Sequence, residues 1–166
     1  MKQIVMNLYW STIMALTGLT TLYAQDTTQT SAPSLESIDC TKEELMTFFP
    51  KPVVEAVLIR EQISKEQAQA IAQELSGKDQ ELVKNVEAKA SRLDPNPFKD
   101  LNQRDLAIKI YRETLYEVFA KVLKAHDITN DERIQQLLDK VQQAKSRLFI
   151  ECIRKQQMTV PISSSQ

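Results

Sequence analysis

LNQRDLAIKIYRETLYEVFAKVLKAH (101–126) and TNDERIQQLLDKVQQAKSRLFIEC (129–152) decide the fold. In the first stretch Leu106, Ile108, Ile110, Tyr111, Leu115, Val118, Phe119, Val122 and Leu123 form a broad apolar band at helical spacing. In the second, Ile134, Leu137, Leu138, Val141, Ala144, Leu148 and Cys152 repeat every three or four residues. Thr129 and Glu132 stand in capping-box spacing at the start of the second stretch, and only 127–129, the cap included, separate the two helices. So short a connection predicts a long antiparallel C-terminal hairpin.

Working outward, the upstream sequence supplies shorter helices to cover that hairpin. Thr41 and Glu44 make a capping box for a helix over about 41–49, which Pro50 stops. Pro52 suits the first turn of a second helix, 53 to about 62, whose run Val53, Val54, Ala56, Val57, Leu58, Ile59 is apolar on nearly every side and must be central. Three valines and an isoleucine would also suit a strand, but a lone strand has no partner here. Ser64 and Gln67 cap a third helix with Ala68, Ile71, Ala72 and Leu75 on one face, and Gly77 stands where a helix end wants a left-handed residue. Leu82, Val83, Val86, Ala90 and Leu93 give a fourth stripe, ending at the stiff connector Asp94-Pro95-Asn96-Pro97, with Phe98 as a plug on the core. The expectation is an all-α fold: a compact helical bundle of about six helices, a single domain over 39–155.

Composition agrees. The chain has 166 residues, 42% hydrophobic and 26% charged, with a formal net charge of -1, which gives no electrostatic reason to expect nucleic acid as a partner. Two glycines leave few left-handed positions, which argues against hairpin-rich β folds and phosphate-cradling loops.

The N-terminus reads as an address. Lys2, an uncharged stretch to Gln25 and the ending Leu22-Tyr23-Ala24 follow the order of a secretory signal peptide over 1–24, placing the remainder outside the cytoplasm, secreted or periplasmic. The alternative is a membrane anchor over 4–24, for which Asn7, Ser11, Thr12 and Thr17 are poor material. Residues 25–38 are a Ser/Thr-rich leader and 156–166 a polar tail, both expected to be disordered. Export makes a disulfide chemically available, and Cys40 and Cys152, one near each end of the domain, are its expected partners. Two buried thiols are the alternative.

Candidate chemistry is sparse. Asp127, Thr129 and Asp131 resemble the start of a calcium loop, but Glu132 and Leu138 occupy positions that need glycine and a bidentate glutamate. His126, at the end of a helix, has no evident nucleophile or orienting acid. Glu113 and Glu117 alternate with Lys109 and Lys121 as an ion-pair face. No catalytic, metal or cofactor residue is nominated. Arg104, Tyr111, Arg112 and Tyr116 mix charge with aromatics and form the candidate binding surface, beside an apolar band wider than one neighbouring helix covers. The expected function is therefore non-enzymatic binding to another protein or to a second copy. A carrier with an apolar small-molecule or lipid pocket between 53–59 and the long helix is the alternative.

Overall fold

The computed structural model describes residues 41–91, 93 and 100–158. The signal segment, the leader, Cys40, the Pro-rich connector with Phe98, and 159–166 lie outside them. The described chain is all-helical, with six helices: α1 Lys42–Leu45, α2 Lys51–Arg60, α3 Lys65–Ser76, α4 Asp79–Ala90, α5 Leu101–Ala125 and α6 Asp131–Met158.

α1 starts on the expected box: the Thr41 amide donates to Glu44 Oε2 at 2.8 Å and the Glu44 amide to Thr41 Oγ1 at 3.2 Å. It ends after one turn, and 46–49 run on as a turn that carries Phe48 and Phe49 into the core. α2 is a helix despite its valines. It packs against both α3 and α6, so Val53, Val54, Ala56, Val57 and Leu58 on its several sides are all buried. Lys51 bonds Gln73 and Gln69 bonds Glu55 across the α2–α3 pair, so the two run antiparallel. α3 buries the four expected residues against α2 and α5. α4 lies on α5 through Leu82 and Val86 and ends at Ala90, before Leu93. α6 continues to Met158, three residues into the segment whose composition reads as tail.

One apolar core runs through all six helices, centred on Phe49, Phe119, Leu58, Ile71, Leu82 and Ile134. The Phe49 and Phe119 rings stack with centroids 5.7 Å apart. No helix among the described residues is long and apolar enough to cross a membrane.

Several local expectations are corrected. Asn130, not Thr129, begins α6: its Oδ1 accepts the Arg133 amide at 2.8 Å, and no Thr129–Glu132 box forms. An asparagine one residue later meets the same demand for an acceptor at the first turn. In the second box Ser64 Oγ accepts the Gln67 amide, but the Gln67 side chain turns away to donate to the His126 carbonyl at 2.6 Å. Of the charged face on α5, only Lys109–Glu113 pairs within the helix, at 3.8 Å. Glu117 reaches Lys89 at 2.6 Å and Lys121 reaches Glu81 at 3.1 Å, both on α4, because a neighbouring helix offers closer partners than the next turn.

The largest correction concerns handedness. Gly77 is right-handed, with φ -86° and ψ -3°, and joins α3 to α4 by a tight turn closed by amides of Gly77 and Lys78. The left-handed positions among the described residues are Gln62 (φ 64°) and Asp127 (φ 63°). Each follows a helix end whose next amide reaches back: Ile63 N to the Leu58 carbonyl, and Ile128 N to Leu123. This is the Schellman arrangement built without glycine. Its apolar clasp supports it: Leu58, Ile63 and Leu123 are buried and Ile128 is packed against the core. Gln62→Gly therefore stabilises the fold by about 1 kcal/mol and Asp127→Gly by less, since aspartate tolerates the left-handed region better. Gly77→Ala stabilises by about 0.4–1 kcal/mol, because its added methyl meets only the Glu74 carbonyl at 3.5 Å. Thermal or urea unfolding of the three variants checks both signs.

Candidate functional site

Two polar side chains are buried among the described residues: Thr114, which donates to the Ile110 carbonyl within α5, and Lys145, around which a polar cluster forms. Lys145 on α6 is 2% exposed. Its ammonium donates to the Thr47 carbonyl and lies 3.4 Å from the Phe48 carbonyl, both in the turn after α1. These are carbonyls that a longer helix would have satisfied itself, so the lysine completes the end of α1 from across the core. On the other side of the same turn the Phe48 amide faces the Asp79 carboxylate, at 3.3 and 3.4 Å from its two oxygens. Asp79 is the first residue of α4. Tyr111 of α5 stands next to this turn, its ring 6.1 Å from that of Phe48 at an angle of 45°.

Burial pushes the Asp79 carboxyl above its ordinary value, against the opposing effects of the Phe48 amide and the Lys145 charge. Burial, with the Asp79 charge second, pushes the Tyr111 hydroxyl well up. The cluster joins the post-α1 turn, α4, α5 and α6, and its three side chains are committed to one another's neighbourhood and to backbone. It is a structural clasp in which Lys145 and Tyr111 are buried and Asp79 is half-buried. Its sequence signal was present but slight: Lys145 falls four residues after Val141 and three before Leu148, on the apolar stripe of α6.

The expected binding residues separate. Tyr111 is only 4% exposed, so it leaves the surface and joins the clasp. Its place in the band, one turn before Leu115, is a core position. Arg112 is exposed, and Arg104 is half-buried with Nε 3.6 Å from Asp105, beyond hydrogen-bond length. Tyr116 is half-buried and donates to Asp131 at 3.1 Å. Lys124 joins the same carboxylate at 2.7 Å, tying α5 to the start of α6. Lys124 and Tyr116 hold Asp131 below the usual carboxylate range. The apolar band is also covered more fully than its width suggests: Leu115, Val118, Phe119, Val122 and Leu123 are buried within the chain. The exposed large apolar side chains among the described residues are Leu101 (67%) and Leu106 (47%), both in the first half of α5.

His126 caps α5 and does have an acid beside it, Glu74 of α3, with Nε2 3.2 Å from the carboxylate. No group of three potential metal ligands occurs among the described residues. Cys152 is half-buried against the core, and no disulfide lies among the described residues. Of 53–59, expected to line a cavity in the carrier reading, Val53, Val54, Ala56, Val57 and Leu58 are buried and Ile59 is half-buried. An open groove of about 610 Å³ lies elsewhere, between the end of α2 and the start of α6, lined by Arg60, Glu61, Gln62, Asn130, Glu132, Arg133, Gln136 and Leu137. Sequence reasoning missed it, because its two walls are 70 residues apart and polar. The chain matches no protein-family model, no curated protein and no solved structure.

Two outcomes follow from the clasp. Lys145→Met removes the ammonium's hydrogen bonds to the Thr47 and Phe48 carbonyls and costs about 2 kcal/mol in urea unfolding. The carboxyl of Asp79 is raised, so the fold favours its protonated form: that contribution is complete below the ordinary value of 3.8 and is lost as pH rises through the raised value. Asp79→Asn, which keeps the acceptor for Phe48, therefore unfolds at a higher temperature than the wild type at pH 7, and the gain disappears on acidification.

Proposed function

We propose that this chain is an exported, non-enzymatic helical protein that works by binding another protein, as an adaptor, a chaperone-like protein or by self-association. The observation that carries the reading is the first half of α5. There Leu101 and Leu106 are exposed, Ile108 and Ile110 are only half-buried, and Arg104 and exposed Arg112 flank them. Apolar side chains beside arginine on one helical segment are the composition of an interface. Burial of Lys145 and Tyr111 in the clasp favours a structural role for both.

In this reading the six helices form a compact bundle with α5 and α6 as an antiparallel hairpin, and the first 24 residues direct export. The disulfide belongs to the same proposal. What supports it is that α1 packs on α6, the helix that carries Cys152, and that Cys40 immediately precedes Thr41 in the sequence. Closing a loop of about a hundred residues constrains the unfolded chain by up to about 4 kcal/mol.

Light scattering and crosslinking of the mature protein test the binding reading: association is expected, and Leu101→Asp with Leu106→Asp abolishes it while leaving the melting temperature within a degree or two, since both side chains are exposed. A strict monomer that no partner crosslinks would sink it. N-terminal sequencing of the native protein should begin at Gln25. Non-reducing gels should show a faster-migrating monomer, and two free thiols after aerobic purification would refute the bridge.

A further inference from the structure

We infer that the groove between the end of α2 and the start of α6 is a docking site for an extended acidic segment of a partner protein. The inference rests on the reading of the chain as a binding protein, but places a contact on a face away from Leu101 and Leu106.

Charge comes first. Glu61 is neutralised by Lys140, 2.6 Å away. Arg60 is exposed and has no ion pair among the described residues. Arg133 spends one nitrogen on the Glu61 carbonyl at 3.2 Å, which fixes its direction without neutralising its charge. The lining carries these two guanidiniums and two carboxylates, Glu61 and Glu132, and with Lys140 on Glu61 one positive charge is in excess. A guanidinium held in place by a neutral carbonyl is prepared for a carboxylate, which it meets with two parallel hydrogen bonds.

The remaining lining favours a peptide over a small anion. Gln62 and Gln136 present carboxamides, which donate and accept as a peptide backbone does, Asn130, whose Oδ1 holds the Arg133 amide, adds its NH2 group, and Leu137 supplies a little apolar floor. Gln62 is the sharpest sign. It holds a left-handed conformation in which glycine would cost less, and its side chain makes no hydrogen bond among the described residues. A glutamine kept there at a cost to stability is explained by what its amide does in the groove.

Fluorescence anisotropy on the full mature chain tests this, with a fluorescein-labelled peptide of alternating Glu and Ala as probe and its Lys-for-Glu counterpart as control. The acidic peptide should bind with an affinity that falls as salt rises, and the basic one should not. Arg60→Glu should weaken binding by about fivefold or more. Gln62→Gly should weaken it too while raising the melting temperature, a pair of results that a purely structural glutamine would not give. An acidic peptide that does not bind, that binds all three proteins alike, or that binds no better than the basic peptide overturns the groove. Leu106→Asp, which removes the α5 contact, should leave peptide binding unchanged, so a failure of the groove and a failure of the α5 interface are read separately.

Discussion

A single ammonium group inside the core sets the terms for the N-terminal half of the domain. Lys145 stands where α6 would otherwise present an aliphatic side chain, and the turn after α1 is shaped around it. Desolvating an ammonium is costly unless its hydrogen bonds are restored. Here the carbonyls of Thr47 and Phe48 accept from the ammonium, which ties the turn after α1 to α6. Phe48 and Phe49 are held by the same turn, so the stacking on Phe119 depends on it. Asp79 holds the turn through the amide of Phe48, and with that the first residue of α4 is placed as well.

Around this clasp the helices divide the work unevenly. α2 is the most thoroughly enclosed, between α3 and α6, which is why it tolerates three valines and has almost no polar side. α5 is long enough to have two characters. From Tyr111 onward it is core, and before that it is largely surface, with Ala107 its one buried residue in the first ten. Ion pairs cross from α5 to α4 through Glu117 and Lys121, on exposed side chains that set register more than stability.

Much of this was legible because apolar periodicity reports burial directly. The stripe Ala68, Ile71, Ala72, Leu75 is buried as read, and the Thr41–Glu44 box forms with both of its bonds. What failed were choices between near-equivalent neighbours. Asn130 and Thr129 are both good caps, and nothing local separates them. Tyr111 suits a surface or a core, and only the packing of Phe48 and Asp79 against it decides. Lys145 and the groove were hidden for a different reason: each depends on residues far apart in the chain, Thr47 with Lys145 and Arg60 with Arg133, and periodicity carries no information about such pairs. Gly77 misled because glycine is read as a left-handed residue, whereas here it only makes a close right-handed turn.

That last point bears on the chain before it folds. Glycine is the residue that loses most freedom on becoming ordered, and the described chain has only Gly77. Placing Gln62 and Asp127 at the two left-handed corners strains the native state, yet it also leaves the unfolded chain stiffer at both corners, with fewer conformations to surrender. The same turns that look unfavourable in the folded protein thus lower the entropy of the state it must leave, and the net effect at each corner is smaller than the backbone angle alone suggests.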